Sequence, residues 1–412
     1  MGPIALFDKS FLQSLSLDES VWFDQFYIAN ISPLFYVETL ADLDKEMKRG
    51  QTSEQVVGGI AAKTPQLSGA PNMHHQELVL ANLMGQSISM SGRPIVASGR
   101  SVESEGKIGV NIDISPESKA FSRWQNGEYQ QIERDFAKVW RNHIKSMTFE
   151  NSANYAKSLG IDIFRCKNVD DAYEVACEIV TKTSKPFDLI KFIVTSLGIS
   201  HEYHQPLMKR YQEMNFPPLN QFAPYAAHVI TVEVFFHISV SRGFISGDRP
   251  SNKIDIAYLH YLPFCNVFIS GDKLHRKTAQ LFIKDHQRFI WGPDLKSDLA
   301  NINKHFMAYP EEVKERGIIS FASKPPKDGD FLTSELWDLL DTSWRNPSEN
   351  STPLSEEANE KLLKFVKGFA DAPNLPPELE PDLSEEIDNL MIQRSIQKRR
   401  GSWFQVAKDF KG

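Results

Sequence analysis

The run Asp255-Ile256-Ala257-Tyr258-Leu259-His260-Tyr261-Leu262-Pro263-Phe264-Cys265-Asn266-Val267-Phe268-Ile269-Ser270-Gly271-Asp272-Lys273 decides how the chain is read. It reads as a helix carrying one acid, a break at Pro263, and a short apolar strand from Asn266 to Ser270 with a second acid just past its end. At the carboxyl edge of a parallel sheet the backbone turns outward, so a side chain there is held rigidly yet stays open to ligand. The N-terminus repeats the pattern: Ile4-Ala5-Leu6-Phe7 is a brief apolar strand that ends in Asp8-Lys9-Ser10. Two strands ending in acids predict an α/β protein in which those ends are adjacent.

Composition sets the outer bounds. The chain has 412 residues, 41% apolar and 24% charged, enough for a large core in two or three globular units. It contains no run of about 18 uncharged apolar residues and no basic-then-apolar leader, which predicts a cytoplasmic protein without a membrane span. Cys166, Cys177 and Cys265 stand singly, which argues against a disulfide framework or a thiolate zinc site. The net charge of −7 argues against a general polyanion-binding surface but leaves room for a local basic groove.

Outward from the first strand, Asp18-Glu19-Ser20 reads as the cap of a helix reaching Phe26, and Tyr27 to Ser32 as a second strand. Pro33 suits a first helical turn, and Leu34, Val37, Leu40 and Leu43 continue a helix toward Arg49. Glu38 in its first turns lies near the end of the second strand, hence near Asp8 if the two strands are neighbours.

These residues together resemble the PIN-domain nuclease family: a strand followed by Asp8-x-Ser10, then Asn30-Ile31-Ser32-Pro33 leading into a helix with Glu38, then Asp255 on a late helix and Ser270-Gly271-Asp272 after a strand. The resemblance covers roughly residues 1–50 and 246–295. It implies a PIN-like parallel-sheet core in which Asp8, Glu38, Asp255 and Asp272 form the Mg or Mn site, Asp8 and Asp272 as direct ligands and Glu38 and Asp255 binding a second ion, holding metal-bound waters or accepting a proton. Ser10 and Ser270 would orient carboxylate or water. The activity implied is a metal-dependent endonuclease acting on RNA or single-stranded DNA. Cleaving a phosphodiester needs a hydroxide near neutral pH and relief of charge on the phosphate oxygens, and hard divalent ions caged by carboxylates supply both. The repulsion among four acids also predicts that an amide at Asp8 or Asp272 leaves the fold intact or more stable.

The resemblance implies a division of the chain. Residues 1–50 form the first half of the core and 51–221 a mostly helical insertion with a small β-element. Residues 222–295 form the second half, and 296–412 a helical C-terminal appendage. Within the insertion, Gln51 to Ser68 reads as a linker and Met73 to Met84 as a helix. Ser87 to Met90, Pro94 to Ala97 and Lys107 to Ile112 read as strands, and Phe121 to Met147 as one long amphipathic helix. Phe222 to Ser241 reads as a buried helix on the sheet, with Glu233 and His237 facing one way. Arg288 to Trp291 reads as an edge strand, after which the chain is expected to leave the core near Asp294. Ser334 to Trp344, Ser355 to Phe369 and Ser384 to Arg399 read as helices.

Lys273, His275, Arg276 and Lys277 follow the last acid directly and are the candidate substrate contacts. The basic and aromatic run Arg394 to Phe404 admits two readings, a phosphate-and-base contact or an anchored tail. His74, His75 and Glu77, and His201 with His204, form no complete ligand set and read as ordinary capping or surface residues. No GxGxxG after a strand, Walker loop or GxSxG is present. A second expectation is a catalytically weak or inactive PIN-like module that recruits a protein partner through the insertion or the C-terminal tail.

Overall fold

The computed structural model describes residues 2–45, 50–96, 99–104, 106–147, 149, 153, 154, 157, 160, 162–182, 186–346, 355–376, 390–392 and 394–410. Its centre is a five-stranded sheet in the order β3-β2-β1-β6-β7, with every pair parallel. The strands are β1 (Ile4–Phe7), β2 (Ile28–Ile31), β3 (Gly69–Pro71), β6 (Val267–Ser270) and β7 (Arg288–Trp291). A hairpin of β4 (Gly99–Ser104) and β5 (Lys107–Ile112) lies outside this sheet, turned at Gly106 with φ +74. β8 (Leu390–Ile392) adds to the hairpin in parallel with β5.

Strand periodicity divides the core into two layers. Leu6 and Phe268 point to one face, which is covered by the helices Val169–Thr181, Pro186–Ser196 and Pro224–Ser241. Ala5, Phe7, Val267 and Ile269 point to the other, against the helices Lys9–Ser14, Leu17–Phe26, Ser53–Lys63 and Gly292–Met307. The Pro224–Ser241 helix is largely apolar and buries most of its residues from Tyr225 to Ser239, Glu233 among them. β6 runs beside β1 in parallel as the two acid-ended strands predict, with Leu6 opposite Phe268.

From β1 the chain steps outward to β2 and β3, then returns to the opposite side of β1 as β6 and β7. Strand order therefore reverses between β1 and β6, the switch point at which the carboxyl edge of an open parallel sheet leaves a crevice.

Several expected elements differ. Gln51 to Ser68 is not a linker: Thr52 caps a helix over Ser53–Lys63, and Val56, Val57, Ile60 and Ala61 bury its face. Gly58 lies within the expected linker, but a Cβ there would meet the carbonyl oxygen of Trp124 at 3.1 Å, so a close approach between helices is what needs the glycine. This helix leads to β3, so the sheet extends past residue 51 into the expected insertion. Ser87–Met90 and Pro94–Val96 are irregular, and Ala97 lies outside the described residues. The expected Phe121–Met147 helix is two, Pro116–Gln125 and Gln131–Ser146, separated at Gly127 with φ +75.

Ser16, not Asp18 to Ser20, caps the second helix, in a reciprocal box with Glu19. The helix after β2 ends at Ala41 and passes into a short turn, and 46–49 lie outside the described residues.

The chain does not leave the core at Asp294. Leu295, Leu299, Ile302 and Phe306 lie in the same core cluster as Ala5 and Phe7. The expected Ser384–Arg399 helix is absent over Leu390–Ile392, which is β8, while 384–389 and 393 lie outside the described residues. The tail run resolves toward anchoring. Arg394 donates to the carbonyl of Gly69, Arg400 pairs with Asp24, and Trp403 packs edge-on against Trp22 at 4.7 Å.

Candidate functional site

Asp8 ends β1 and caps the Lys9–Ser14 helix, its Oδ1 accepting from the Phe11 amide at 2.8 Å. Ser10 Oγ donates to both carboxylate oxygens at 3.0 and 2.9 Å, and Ser270 Oγ donates to Oδ2 at 2.5 Å. Ser270 lies at the end of β6, so the side-by-side pairing of the two strands is what brings these groups together. Asp272 caps the Lys273–Phe282 helix through the Leu274 amide at 2.6 Å, and its own amide donates to Ser270 Oγ at 2.9 Å.

His275 lies behind this turn and is fully buried. Its Nε2 is 2.6 Å from the carbonyl oxygen of Asp255, and its Nδ1 is 2.7 Å from Ser270 Oγ. A carbonyl only accepts, so Nε2 carries a proton. Ser270 gives its own proton to Asp8, so Nδ1 must donate as well. The ring is an imidazolium with its charge 3.5 Å from Asp8 Oδ2. Burial works against that charge, but the bond to Asp8, the field of Asp8 and the Asp255 carbonyl outweigh it and push His275 up to about 9. Burial would likewise raise Asp8, but His275, Ser270 and the Phe11 amide together hold it below the usual carboxylate range.

The remaining acids converge on the same edge. Glu38 accepts from the Tyr258 hydroxyl at 2.5 Å, while Lys9 donates to the Glu38 backbone oxygen at 3.2 Å and to Asp42 at 3.1 Å. Burial raises Glu38, against the charge of Lys9 and the bond from Tyr258. Asp255 is raised to about 7, first by burial, against the opposing charge of His275, and then by Glu38, Asp272 and Asp8. All four sequence-predicted acids therefore share one electrostatic neighbourhood at the switch point between β1 and β6.

Asp255 binds more protons folded than unfolded, so its contribution is most favourable below about pH 3.8 and is lost as pH rises toward 7. Asp255→Asn does not titrate there. In chelator, its melting temperature relative to the parent is expected to climb between about pH 4 and pH 7 and then level off. A difference independent of pH would show that Asp255 is not raised in the folded protein.

The substrate contacts expected from sequence divide. Lys273 is exposed, Arg276 is exposed with its guanidinium 5.0 Å from the centre of the Trp291 ring, and Lys277 donates to the Phe244 carbonyl at 3.3 Å. His275 is corrected: it is enclosed among the acids and has no surface to offer a substrate. Sequence position beside Asp272 suggested solvent, whereas the helix turn carries it inward. Tyr258 and Lys9, which steady Glu38, were not singled out by the sequence, although both adjoin named acids or the decisive run. Glu233 does not reach the site through a contact with the four acids. It binds Lys253 and stands 3.1 Å from His260 Nε2 in a separate buried group. Three of the other histidines weighed from sequence make local contacts: His74 caps its helix through Nδ1, His75 pairs with the Tyr261 hydroxyl, and His204 reaches the Ile199 carbonyl.

The donor set suits a hard divalent cation in kind, since it is all carboxylate and the repulsion felt by Asp255 is what a cation relieves. As the side chains stand, no group of three or more His, Cys, Asp or Glu among the described residues is placed to hold a metal ion. Among the same residues no helix is long and apolar enough to cross a membrane. No protein-family model, curated protein or solved structure matches the chain.

Proposed function

We propose that the chain is a PIN-like metal-dependent endonuclease that hydrolyses phosphodiester bonds of RNA or single-stranded DNA, in the cytoplasm. The observation that carries this reading is the meeting of Asp8, Glu38, Asp255 and Asp272, drawn from distant parts of the chain, with Asp255 lifted to about 7 by burial and by the other three. These four would hold Mg or Mn. The bound ion supplies Lewis acidity, lowering the pKa of a bound water and offsetting phosphate charge.

The chain's own residues have distinct tasks. Asp8 is fixed by three donors, the Phe11 amide, the Ser10 hydroxyl shared between both carboxylate oxygens, and the Ser270 hydroxyl, so its position is set before any ligand arrives. Glu38 is held by Tyr258. Asp255, raised to about 7 by burial and by its acidic neighbours, is the carboxylate whose ionised form a bound cation would stabilise most.

Calorimetry with Mn²⁺ tests the reading. The parent is expected to take up the ion with a Kd of about a millimolar or tighter, and Asp272→Asn to weaken it at least about tenfold. Chelator is expected to stop cleavage of labelled single strands. Absence of Mn²⁺ uptake, or cleavage indifferent to chelator, would overturn it. The second reading, a weak or inactive PIN-like module that recruits a protein partner, draws on the imidazolium of His275, which already offsets Asp8, and on the absence of a ready three-ligand group among the described residues. A protein that folds but takes up no Mn²⁺ is its expected signature.

A further inference from the structure

Beside the acid cluster, the loop after the Pro224–Ser241 helix and the turn before the Lys273–Phe282 helix enclose a cleft of about 500 Å³. Phe244, Ile245, Arg249 and Asn252 line one side, and Asp272 and Lys273 the other. Asp272 thus belongs to both the cleft and the acid cluster. Arg249 and Lys273 are exposed, and neither makes an ion pair among the described residues. Two cations beside one carboxylate leave the cleft with a formal positive charge, which suits a ligand carrying negative charge.

The cleft is already built. Lys277 donates to the Phe244 carbonyl at 3.3 Å, the Phe244 amide to the Ser239 carbonyl at 2.8 Å, and Asn252 Nδ2 to the Ser246 carbonyl at 2.9 Å. Its volume lies in the range of small-ligand pockets. Its lining combines an aromatic ring and an aliphatic side chain with two cations, which is what one nucleotide presents in complement: a flat base and a charged phosphate.

We infer that this cleft seats the nucleotide adjoining the scissile bond of a single strand, with its phosphate between Arg249 and Lys273 and its base against Phe244, an inference that rests on the nuclease reading. A single strand offers base and phosphate together, whereas a duplex has to unstack a base first. The seat therefore selects single-stranded over duplex nucleic acid, and Arg249, Phe244 and Lys273 are binding residues rather than participants in bond cleavage.

Fluorescence anisotropy tests it, with labelled oligouridine and oligothymidine in chelator and Glu38→Gln as the parent, so that the strand stays uncut. Arg249→Ala and Lys273→Ala are each expected to weaken binding about 3- to 10-fold and to reduce the salt slope by about 0.7. Phe244→Leu is expected to weaken binding about tenfold with little change in salt slope, and Phe244→Trp to retain it. A duplex of equal length is expected to compete poorly. Parent-like affinity in the Arg249→Ala/Lys273→Ala double variant, a parent that binds no single strand, or a duplex that competes equally would overturn the seat. Mn²⁺ uptake by the otherwise unaltered chain and by that double variant separates the two ideas. Uptake kept in both with strand affinity unchanged removes the seat alone, while loss of uptake in the unaltered chain removes the acid-site reading.

Discussion

Asp8→Asn is expected to abolish Mg²⁺- or Mn²⁺-dependent cleavage and, at neutral pH, to lower stability by about 2–4 kcal/mol. Crowded acids alone predict the opposite sign for stability. The reversal comes from His275, whose buried charge has Asp8 as its partner at 3.5 Å. An amide in place of that carboxylate leaves an imidazolium with no counter-charge, and burial then drives the ring to the neutral form. Ser270 can adapt by turning its hydroxyl toward His275 Nδ1. The proton is lost all the same.

The sign with pH follows. His275 titrates near 9 when folded and near 6.5 when free, so its contribution is complete below about 6.5 and disappears as pH rises through 9. The stability gap between the unaltered chain and Asp8→Asn is therefore expected to be widest in mild acid and to close above about pH 9. Denaturant titrations across pH, with NMR of the His275 ring, provide the check. A gap that stays constant through pH 9, or a ring still titrating near 9 in Asp8→Asn, would refute the pairing. Asp272→Asn provides the contrast. Asparagine caps a helix as well as aspartate does, and it removes a neighbour that raises Asp255, so that variant is expected to lose cleavage while keeping or slightly gaining stability.

The largest stability effect is expected far from the acids. Asp24 is buried and accepts from the amides of Gln66, Leu67 and Ser68 at 2.8, 3.1 and 2.8 Å, from Ser68 Oγ at 2.9 Å, and from Arg400 Nη1 at 2.7 Å. Arg400 is equally enclosed and also donates to the carbonyl of Ala62 at 3.1 Å. Removing one member of such a pair leaves the other charged and dry, at about 3–5 kcal/mol. Asp24→Ala also orphans three backbone amides that lead into β3 and belongs at the upper end of that range. Arg400→Met leaves those amides satisfied and belongs at the lower end. The double variant is expected to fall well short of the sum, because no unpaired charge remains. Urea unfolding of all four proteins measures this. A loss below about 1 kcal/mol in Arg400→Met would mean that the tail does not brace the sheet.

Local periodicity was sufficient for the elements that carry the site. Apolar runs ending in Asp8 and in Ser270-Gly271-Asp272 announce strands that stop at an acid, and Ser32-Pro33 announces the helix that carries Glu38. Those signals lie within a few residues of the groups they place, so β1, β2, β6 and β7 were legible locally, and the expectation that the two acid-ended strands are neighbours agrees with the parallel pairing of β1 with β6.

Other features depend on partners remote in the chain and become legible only once the chain is folded. Gly58 looks like part of a linker until the Pro116–Gln125 helix is seen against it, and the tail run admits both a nucleic-acid contact and an anchor until Asp24 and Trp22 are found to receive Arg400 and Trp403. His275 is the sharpest case. Its neighbours Lys273, Arg276 and Lys277 are surface cations, but one turn of helix directs its ring to the Asp255 carbonyl, 20 residues away in sequence, and to Ser270. A hydrogen bond reports the distance between atoms and takes no account of their separation along the chain, so the charge state of that ring, and with it the stability of the acid site, had no local signature.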